Sequence, residues 1–396
     1  MPRYRFPLLI SLTLALGFST TAAQLAGSAT ELPSRLTDQE FWQLSESISE
    51  PNGMFQSDNL LSNEMVFPRM VPELISKTTP GGVYLGVGPE QNFTYIAAMK
   101  PRMAFITDIR RGNLHLQLMY KALFELSADR AEFVSRLFTK PRPAGLGASS
   151  TVTEIMNAYW DAYAASETTF TANLKAVHDH LTQTHHLPLP PEDLDGIAKV
   201  YRAFYWYGPA ITWSATVALR QPAAAAVGRG TYWDLVTQTD QSGQGFSYLG
   251  SEEKFRFLKD LESRNLVVPA VGNFSGPKAL RAVGQYVRDH GATVTAFYLS
   301  NVESYLRREG SWGAFCSNVA SMPIDEGSFF IRPSGGGVTI TAPNGAPPQL
   351  IQLMATVNSS GQVTQVTRTP STVSMSTGPF NAGLVPMATE TKDCGK

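Results

Sequence analysis

The chain has 396 residues, of which 43% are hydrophobic and 16% are charged, and its formal net charge at pH 7 is −1. This composition is typical of a globular protein with a large core. It lacks the basic excess that binding to a phosphate backbone requires, so we expect no nucleic-acid partner.

The first 23 residues have the pattern of a secretory signal peptide. Arg3 and Arg5 give a basic start, residues 6–18 form an apolar run too short to span a bilayer, and small residues at 21–23 offer a cleavage site. No later apolar run reaches the roughly 18 residues of a membrane helix. We therefore expect an exported protein, periplasmic or secreted, with no integral membrane segment after signal cleavage.

Residues 24–80 precede the first predicted strand and contain a predicted helix at 40–50. After a turn at Pro51, polar side chains crowd around two leucines, and Asn63 and Glu64 are the last of these. Two interpretations remain open. The polar residues cap the following helix, or the segment is a lid over the sheet that lets Asn63 and Glu64 contact a substrate.

The most informative stretch is residues 83–111, VYLGVGPEQNFTYIAAMKPRMAFITDIRR. It reads as a strand, a turn with Gly86 and Gly88, a helix and a second strand that ends near Asp108. The glycines allow a ligand to approach the backbone closely. Asp108 follows Gly88 at about the spacing, roughly 20 residues, at which βαβ units place a carboxylate on ribose hydroxyls.

This stretch resembles the first half of a class I S-adenosylmethionine-dependent methyltransferase. The resemblance implies S-adenosylmethionine as the cofactor and a set of cofactor contacts: Gly86, Gly88, Glu90, Asn92, Asp108 and Arg110. The family's usual motif has an acid where this chain has Tyr84 and a third glycine where it has Glu90. A tight turn without a ligand is the other interpretation of the glycines.

A helix is predicted at 113–138, and residues 141–245 form a large, mostly helical insertion between strands. The insertion contains the only concentration of potential metal ligands in the sequence, at His178, His180, His185 and His186. Their spacing matches no zinc motif, and histidines also suit the carboxyl end of a helix. We predict no metal site.

Residues 246–333 repeat the strand, turn, helix and strand pattern, with strands at 266–271 and 293–299. Together the two halves predict an α/β fold with a doubly wound, Rossmann-like sheet of methyltransferase type. In such a fold Asn273 and Ser275 would follow the fourth strand, and Ser300 and Asn301 the fifth, as substrate contacts. Residues 315–321 and 328–332 are predicted to supply the remaining strands.

The sheet is predicted to end at Pro333, and residues 334–396 read as a flexible tail rich in Ser, Thr, Gly and Pro. Cys316 and Cys394 are the two cysteines. They either pair in an oxidising compartment or remain free, because one of them lies in the predicted tail.

Residues 83–111 and 265–306 also resemble a group of exported bacterial proteins without an assigned activity. Two functions follow from these patterns. One is an enzyme that binds S-adenosylmethionine or a related nucleoside and methylates a small molecule. The other is a non-catalytic binding or structural protein that has lost this chemistry and holds a different small ligand. The sequence leaves enzymatic activity undecided.

Overall fold

The computed structural model describes residues 31–62, 64, 70–161, 166–213, 230–239, 243–334, 349–357, 363–372, 381–392 and 394. The predicted signal peptide and Asn63 lie outside the described residues.

A six-stranded sheet forms the centre of the molecule, in the order β3-β2-β1-β4-β5-β8. Its strands are β1 (Val83–Gly86), β2 (Met103–Asp108), β3 (Val267–Val271), β4 (Val294–Tyr298), β5 (Phe329–Ser334) and β8 (Asn381–Pro386). Neighbouring strands from β3 to β5 pair in parallel, and β8 pairs antiparallel to β5. The order is compatible with a Rossmann-like fold, in which ligands bind where the strand order reverses. Here that point lies between β1 and β4.

Helices surround this sheet. They are α1 (Asp38–Ile48), α2 (Val71–Lys77), α3 (Gln91–Met99), α4 (Arg111–Leu126), α5 (Arg130–Leu137), α6 (Val152–Asp161), α7 (Glu167–Asp179), α8 (Pro191–Tyr207), α9 (Tyr232–Thr237), α10 (Glu252–Ser263), α11 (Ala279–Asp289), α12 (Val302–Arg308), α13 (Trp312–Ala320) and α14 (Met387–Thr391). A π-helical turn, His180–Thr184, continues α7, and a short 3₁₀ turn, Gly208–Ala210, follows α8. No helix in the described ranges combines the length and the apolar character needed to cross a membrane.

The core lies on both faces of the sheet. Every residue of β1, β2 and β3 is buried, as expected for parallel strands covered by helices on both sides. α4 is also buried along most of its length, because α8 and α10 cover the side that faces away from the sheet. The helical insertion therefore extends the core and encloses α4.

One helix prediction and one strand prediction need correction. The helix predicted at 113–138 is divided into α4 and α5, because Asp129 caps a new helix by accepting from the Glu132 backbone N–H at 2.8 Å. The strand predicted at 315–321 is wrong, since these residues lie largely in α13. Phe315 and Val319 are buried four residues apart, which is a helical spacing that the aromatic and β-branched content obscured.

The prediction that the sheet ends at Pro333 is also wrong. β8 pairs with β5 from Phe329 opposite Pro386 to Ser334 opposite Asn381. It covers a strand edge that would otherwise be unpaired. Between β5 and β8 in the chain, β6 (Gln349–Val357) and β7 (Val363–Thr372) form a separate antiparallel pair. A disulfide, Cys316–Cys394, joins α13 to the residues after α14, so the two cysteines are paired.

Candidate functional site

The turn after β1 is held in shape by Asn92, a side chain from the first turn of α3. Its Nδ2 donates to the carbonyl oxygens of Val87 at 3.0 Å and Pro89 at 2.7 Å. Its Oδ1 accepts from the Tyr84 hydroxyl at 2.8 Å. Gly86 makes room for this arrangement, since a Cβ there would lie 1.8 Å from Asn92 Oδ1. Asn92, predicted as a cofactor contact, therefore stabilises the turn itself.

Gly88 places the same turn beside the end of β2. Its φ of +75° lies in the left-handed region that favours glycine. A Cβ built on Gly88 would lie 3.9 Å from Asp108 Oδ2, so this carboxylate oxygen faces the open side of the glycine. Gln117 of α4 supports the turn, with Nε2 donating to the Gly88 carbonyl at 3.0 Å. The structure thus brings together two of the predicted cofactor contacts.

Arg110 pairs with Asp108 in a buried fork. Arg110 Nε donates to Asp108 Oδ1 at 3.0 Å, and a terminal guanidinium nitrogen donates to Oδ2 at 3.0 Å. The Arg110 backbone N–H adds a bond to Oδ1 at 2.9 Å. A carboxylate has about four lone-pair positions, so these three bonds leave one acceptor position on Oδ2. That oxygen is the one that faces Gly88.

Residues 52–62 and Glu64, the covering segment, cross the carboxyl ends of the strands. Arg110 Nη1 donates to the Ser57 carbonyl at 2.8 Å. Further along, the Ser62 backbone N–H points to Glu90 Oε1 at 3.4 Å. α2, in contrast, has no side-chain N-cap within the described residues. The described residues of this segment thus contact Arg110 and Glu90, and both interpretations of it stay predictions.

Glu90 takes the place of the third glycine and is only 2% exposed. Burial raises its pKa to about 8, and hydrogen bonds from its own backbone and from Ser62 counteract this in part. At neutral pH the side chain is therefore mostly a neutral carboxylic acid, which can donate a hydrogen bond. A charged Glu90 would repel an anionic ligand group, and a neutral one does not.

Glu64, at the end of the covering segment, is 1% exposed and lies against the end of β4. Burial raises its pKa to about 7, while hydrogen bonds with Ser300, Tyr298 and Gln91 lower it. Gln91 Nε2 points to Glu64 Oε2 at 3.4 Å. The structure thus brings together Glu64 and Ser300, two predicted substrate contacts, on one side of the point between β1 and β4 where the strand order reverses.

Several buried polar atoms around this turn have no hydrogen-bond partner in the described part of the chain. They are Glu90 Oε2, Gln91 Oε1, Gln117 Oε1, the Tyr120 hydroxyl and both amide atoms of Asn113. Buried polar groups are nearly always hydrogen-bonded, because an unpaired one costs about 1–3 kcal/mol. A small cavity beside Glu90 and Gln91, with room for about one water molecule, reaches toward Tyr248.

Asn273 and Ser275 lie elsewhere, at the end of β3. The prediction that they follow the fourth strand is wrong, because β3 is the outer strand, two places from β1. The turn there is filled by the protein's own Glu50, whose carboxylate accepts from the backbone N–H of Asn273 at 3.0 Å and of Lys278 at 2.8 Å. Asn273 Oδ1 in turn accepts from the Ser275 hydroxyl at 2.9 Å. This second glycine turn thus binds an internal anion.

Ser300 and Asn301 follow β4, the fourth strand in the chain, and not the fifth as predicted. Asn301 immediately precedes α12, and its carbonyl accepts from the Ser304 hydroxyl at 2.7 Å. Only Ser300 of this pair contacts Glu64. Asn301 is therefore placed to begin the helix.

A family profile described as "Domain of unknown function (DUF7790)" matches residues 60–188 and 214–371, which is more than half of the chain. The chain belongs to the DUF7790 family. No curated protein matches the sequence. The matched ranges of the DUF7790 domain contain every residue predicted as a cofactor or substrate contact, whereas α1, Glu50 and Ser57 lie before them.

Gln91 and Gln117 of the DUF7790 domain were missed by the sequence reasoning. Both are buried, both contact the glycine turn or its neighbours, and each has an unpaired oxygen. Gln91 lies within the informative stretch, and a second polar residue directly after Glu90 at the start of a helix was the available signal. Gln117 had no such signal in the sequence, because only the packing of α4 brings its side chain to the glycine turn.

Proposed function

We propose that this protein is exported and binds a small ligand with vicinal hydroxyls, a nucleoside or a close relative, at the carboxyl ends of β1, β2 and β4. The observation that carries the proposal is the placement of Asp108 Oδ2 opposite Gly88, at the reversal of the strand order. Gly88 has no side chain to block a ligand, and Asp108 has one remaining acceptor position for a hydroxyl group. These two features suit a ribose. S-adenosylmethionine and S-adenosylhomocysteine are the first ligands to test.

Glu90 supports the same proposal. Since its pKa is raised to about 8, the neutral acid tolerates the carboxylate of a methionine-type ligand and offers it a hydrogen. The unpaired oxygens of Gln91 and Gln117 add acceptors around the turn. Asp108 and Glu90 are 5% and 2% exposed, so a ligand must displace the covering segment to reach them.

The disulfide supports export. A paired Cys316–Cys394 is the state expected in an oxidising compartment. Intact-mass analysis of protein recovered from the culture medium or periplasm should give a chain that begins near Gln24. Retention of Met1 would argue against export.

Methyl transfer is a second candidate, and Glu64 favours it. A carboxyl group with a pKa of about 7, beside Ser300, suits the removal of a proton from a methyl acceptor at neutral pH. Glu64→Gln should then retain binding of the nucleoside and abolish methyl transfer. Equal turnover by the variant would remove Glu64 from this role.

The test of binding is calorimetric titration of both ligands into wild-type protein and two variants. Asp108→Ala removes charge-assisted hydrogen bonds worth roughly 1.5–3 kcal/mol and should weaken binding about ten- to a hundredfold. Asp108→Asn keeps the shape and one acceptor, so it should lose less. Circular dichroism checks folding, because either variant also leaves Arg110 without its carboxylate partner.

The matched control is Glu309→Gln, which neutralises an exposed acid outside the crevice and should bind as wild type does. Wild-type protein that gives no heat with millimolar ligand would refute the nucleoside proposal. Equal affinities for wild type and Asp108→Ala would place the ligand away from β2.

A further inference from the structure

A second cluster of reactive side chains lies far from the glycine turn, near the carboxyl end of α4. Glu125, His180 and His185 each direct one ligand atom to the same point, and these atoms lie within 4.8 Å of one another. Glu125 is separated from the start of α4 by roughly 20 Å of helix. The cluster is therefore distinct from the crevice described above.

The π-helical turn after α7 brings the two histidines together. The His185 backbone N–H donates to the His180 carbonyl at 3.0 Å, which is the five-residue bond of a π-helix. In an α-helix, residues five apart point about 140° away from each other. The wider turn instead sets the two rings edge to face, with centroids 4.9 Å apart. Such turns occur frequently at functional sites.

Glu125 completes the cluster from α4. Its Oε2 lies 2.7 Å from His180 Nε2 and 2.5 Å from His185 Nε2. Its other oxygen, Oε1, accepts from the buried Lys121 ammonium at 2.7 Å. Lys121 thus fixes the carboxylate so that a single oxygen faces both rings.

Asp38 fixes the orientation of one ring. His185 Nδ1 lies 2.6 Å from Asp38 Oδ1, so Nδ1 carries a hydrogen and a neutral ring has its lone pair on Nε2. That lone pair points at a carboxylate oxygen. The cluster has three nitrogen-to-oxygen contacts, two on His185 and one on His180. Two neutral imidazoles carry only two N–H hydrogens, so the third contact requires a cation or an additional proton.

We propose that Glu125, His180 and His185 bind a divalent transition-metal ion, for which zinc is the best match. Two imidazole nitrogens and one carboxylate oxygen form a recognised zinc ligand set that leaves a fourth position for water. A carboxylate on the far nitrogen of a ligating histidine is the usual second-shell partner, and Asp38 has this place. The proposal differs from the expectation of no metal site, which was drawn from residues close in sequence.

The ion fits with a small adjustment. Ligand atoms about 2.0–2.1 Å from a tetrahedral zinc lie about 3.3 Å apart, so the present contacts must lengthen by less than about 1 Å. The His180 side chain is 15% exposed, so part of it borders solvent. The bound ion would join the helical insertion to α4 and, through Asp38, to α1.

The test is titration of zinc into tag-free, chelator-treated full-length protein, followed by calorimetry. We expect one ion per chain. Glu125→Gln and His180→Ala should each weaken binding by more than about a hundredfold, and Asp38→Asn by about ten- to a hundredfold. The control is His186→Asn, an exposed neighbour at a φ of +50°, which asparagine adopts readily. It should bind zinc as wild type does.

A second measurement needs no variant. Cobalt added to the wild-type protein should give the strong visible absorption of a four- or five-coordinate ion and lose it when zinc is added. Absence of zinc binding, zinc binding unchanged in Glu125→Gln and His180→Ala, or only the weak absorption of six-coordinate cobalt would each overturn the proposal. An additional proton on the histidines would then account for the cluster.

Discussion

Replacement of Glu90 by glutamine offers a sharp test of the buried acid beside the glycine turn. Glutamine has nearly the same shape and is neutral at every pH. Burial raises the folded-state pKa of Glu90 to about 8, against roughly 4.3 in an unfolded chain. The folded protein therefore holds a proton that the unfolded chain releases. The contribution of Glu90 to the free energy of unfolding is therefore fully present below the unfolded-state pKa. It is lost as the pH rises through the folded-state pKa.

The magnitude follows from the two pKa values. Between pH 5 and pH 8 the wild-type protein should lose about 3 kcal/mol of unfolding free energy through this residue alone. Other buried acids, such as Glu64 and Glu262, with pKa values raised by burial to about 7 and about 8, also contribute. They are present in both proteins, so they cancel in the difference between wild type and Glu90→Gln.

Urea denaturation of both proteins at pH 5, 6.5 and 8 measures this difference. From the lowest to the highest pH, the unfolding free energy of Glu90→Gln should rise relative to that of wild type by about 3 kcal/mol. The unfolding free energy of the exposed control Glu309→Gln should follow that of wild type. A difference that does not change with pH, or that grows on acidification, would refute the assignment of a neutral Glu90.

Three further predictions concern stability, each measured by urea denaturation. Gly86→Ala places a Cβ 1.8 Å from Asn92 Oδ1 and should lower stability by about 1–3 kcal/mol or more. Arg130→Met removes the buried partner of Glu252, an ion pair of 3.0 Å, and should cost about 3–5 kcal/mol; a loss below about 1 kcal/mol would contradict this. Reduction of the Cys316–Cys394 disulfide, which spans 78 residues, should cost about 4 kcal/mol, and no loss would mean that the carboxyl-terminal strand packs independently of it.

The sequence predicted well those parts of the fold that depend on neighbouring residues. The strand, glycine turn, helix and strand of residues 83–111 appear in the structure, because apolar runs, glycines and prolines act locally. The placement of Gly88 beside Asp108 follows from that unit. Even here, the Arg110 fork on Asp108 was not foreseen, since it depends on side-chain conformation.

Other features of the structure depend on contacts between distant residues. β8 reaches the sheet after some fifty residues, and no local pattern in the Ser- and Thr-rich tail predicts that pairing. Glu125 lies 55 residues before His180, so no local pattern joins it to the histidines. The raised pKa of Glu90 similarly depends on a covering segment that lies about 30 residues earlier in the chain.

We propose that the crevice at the carboxyl ends of β1, β2 and β4 binds a nucleoside-like ligand through Asp108. Native mass spectrometry of the purified protein with an equimolar mixture of S-adenosylmethionine, S-adenosylhomocysteine, adenosine and 2′-deoxyadenosine tests it directly. We predict a one-to-one complex with a ribonucleoside ligand, a weaker signal for 2′-deoxyadenosine than for adenosine, and loss of the complexes in Asp108→Ala. Equal signals for the ribose and deoxyribose ligands, or complexes that persist in Asp108→Ala, would contradict it.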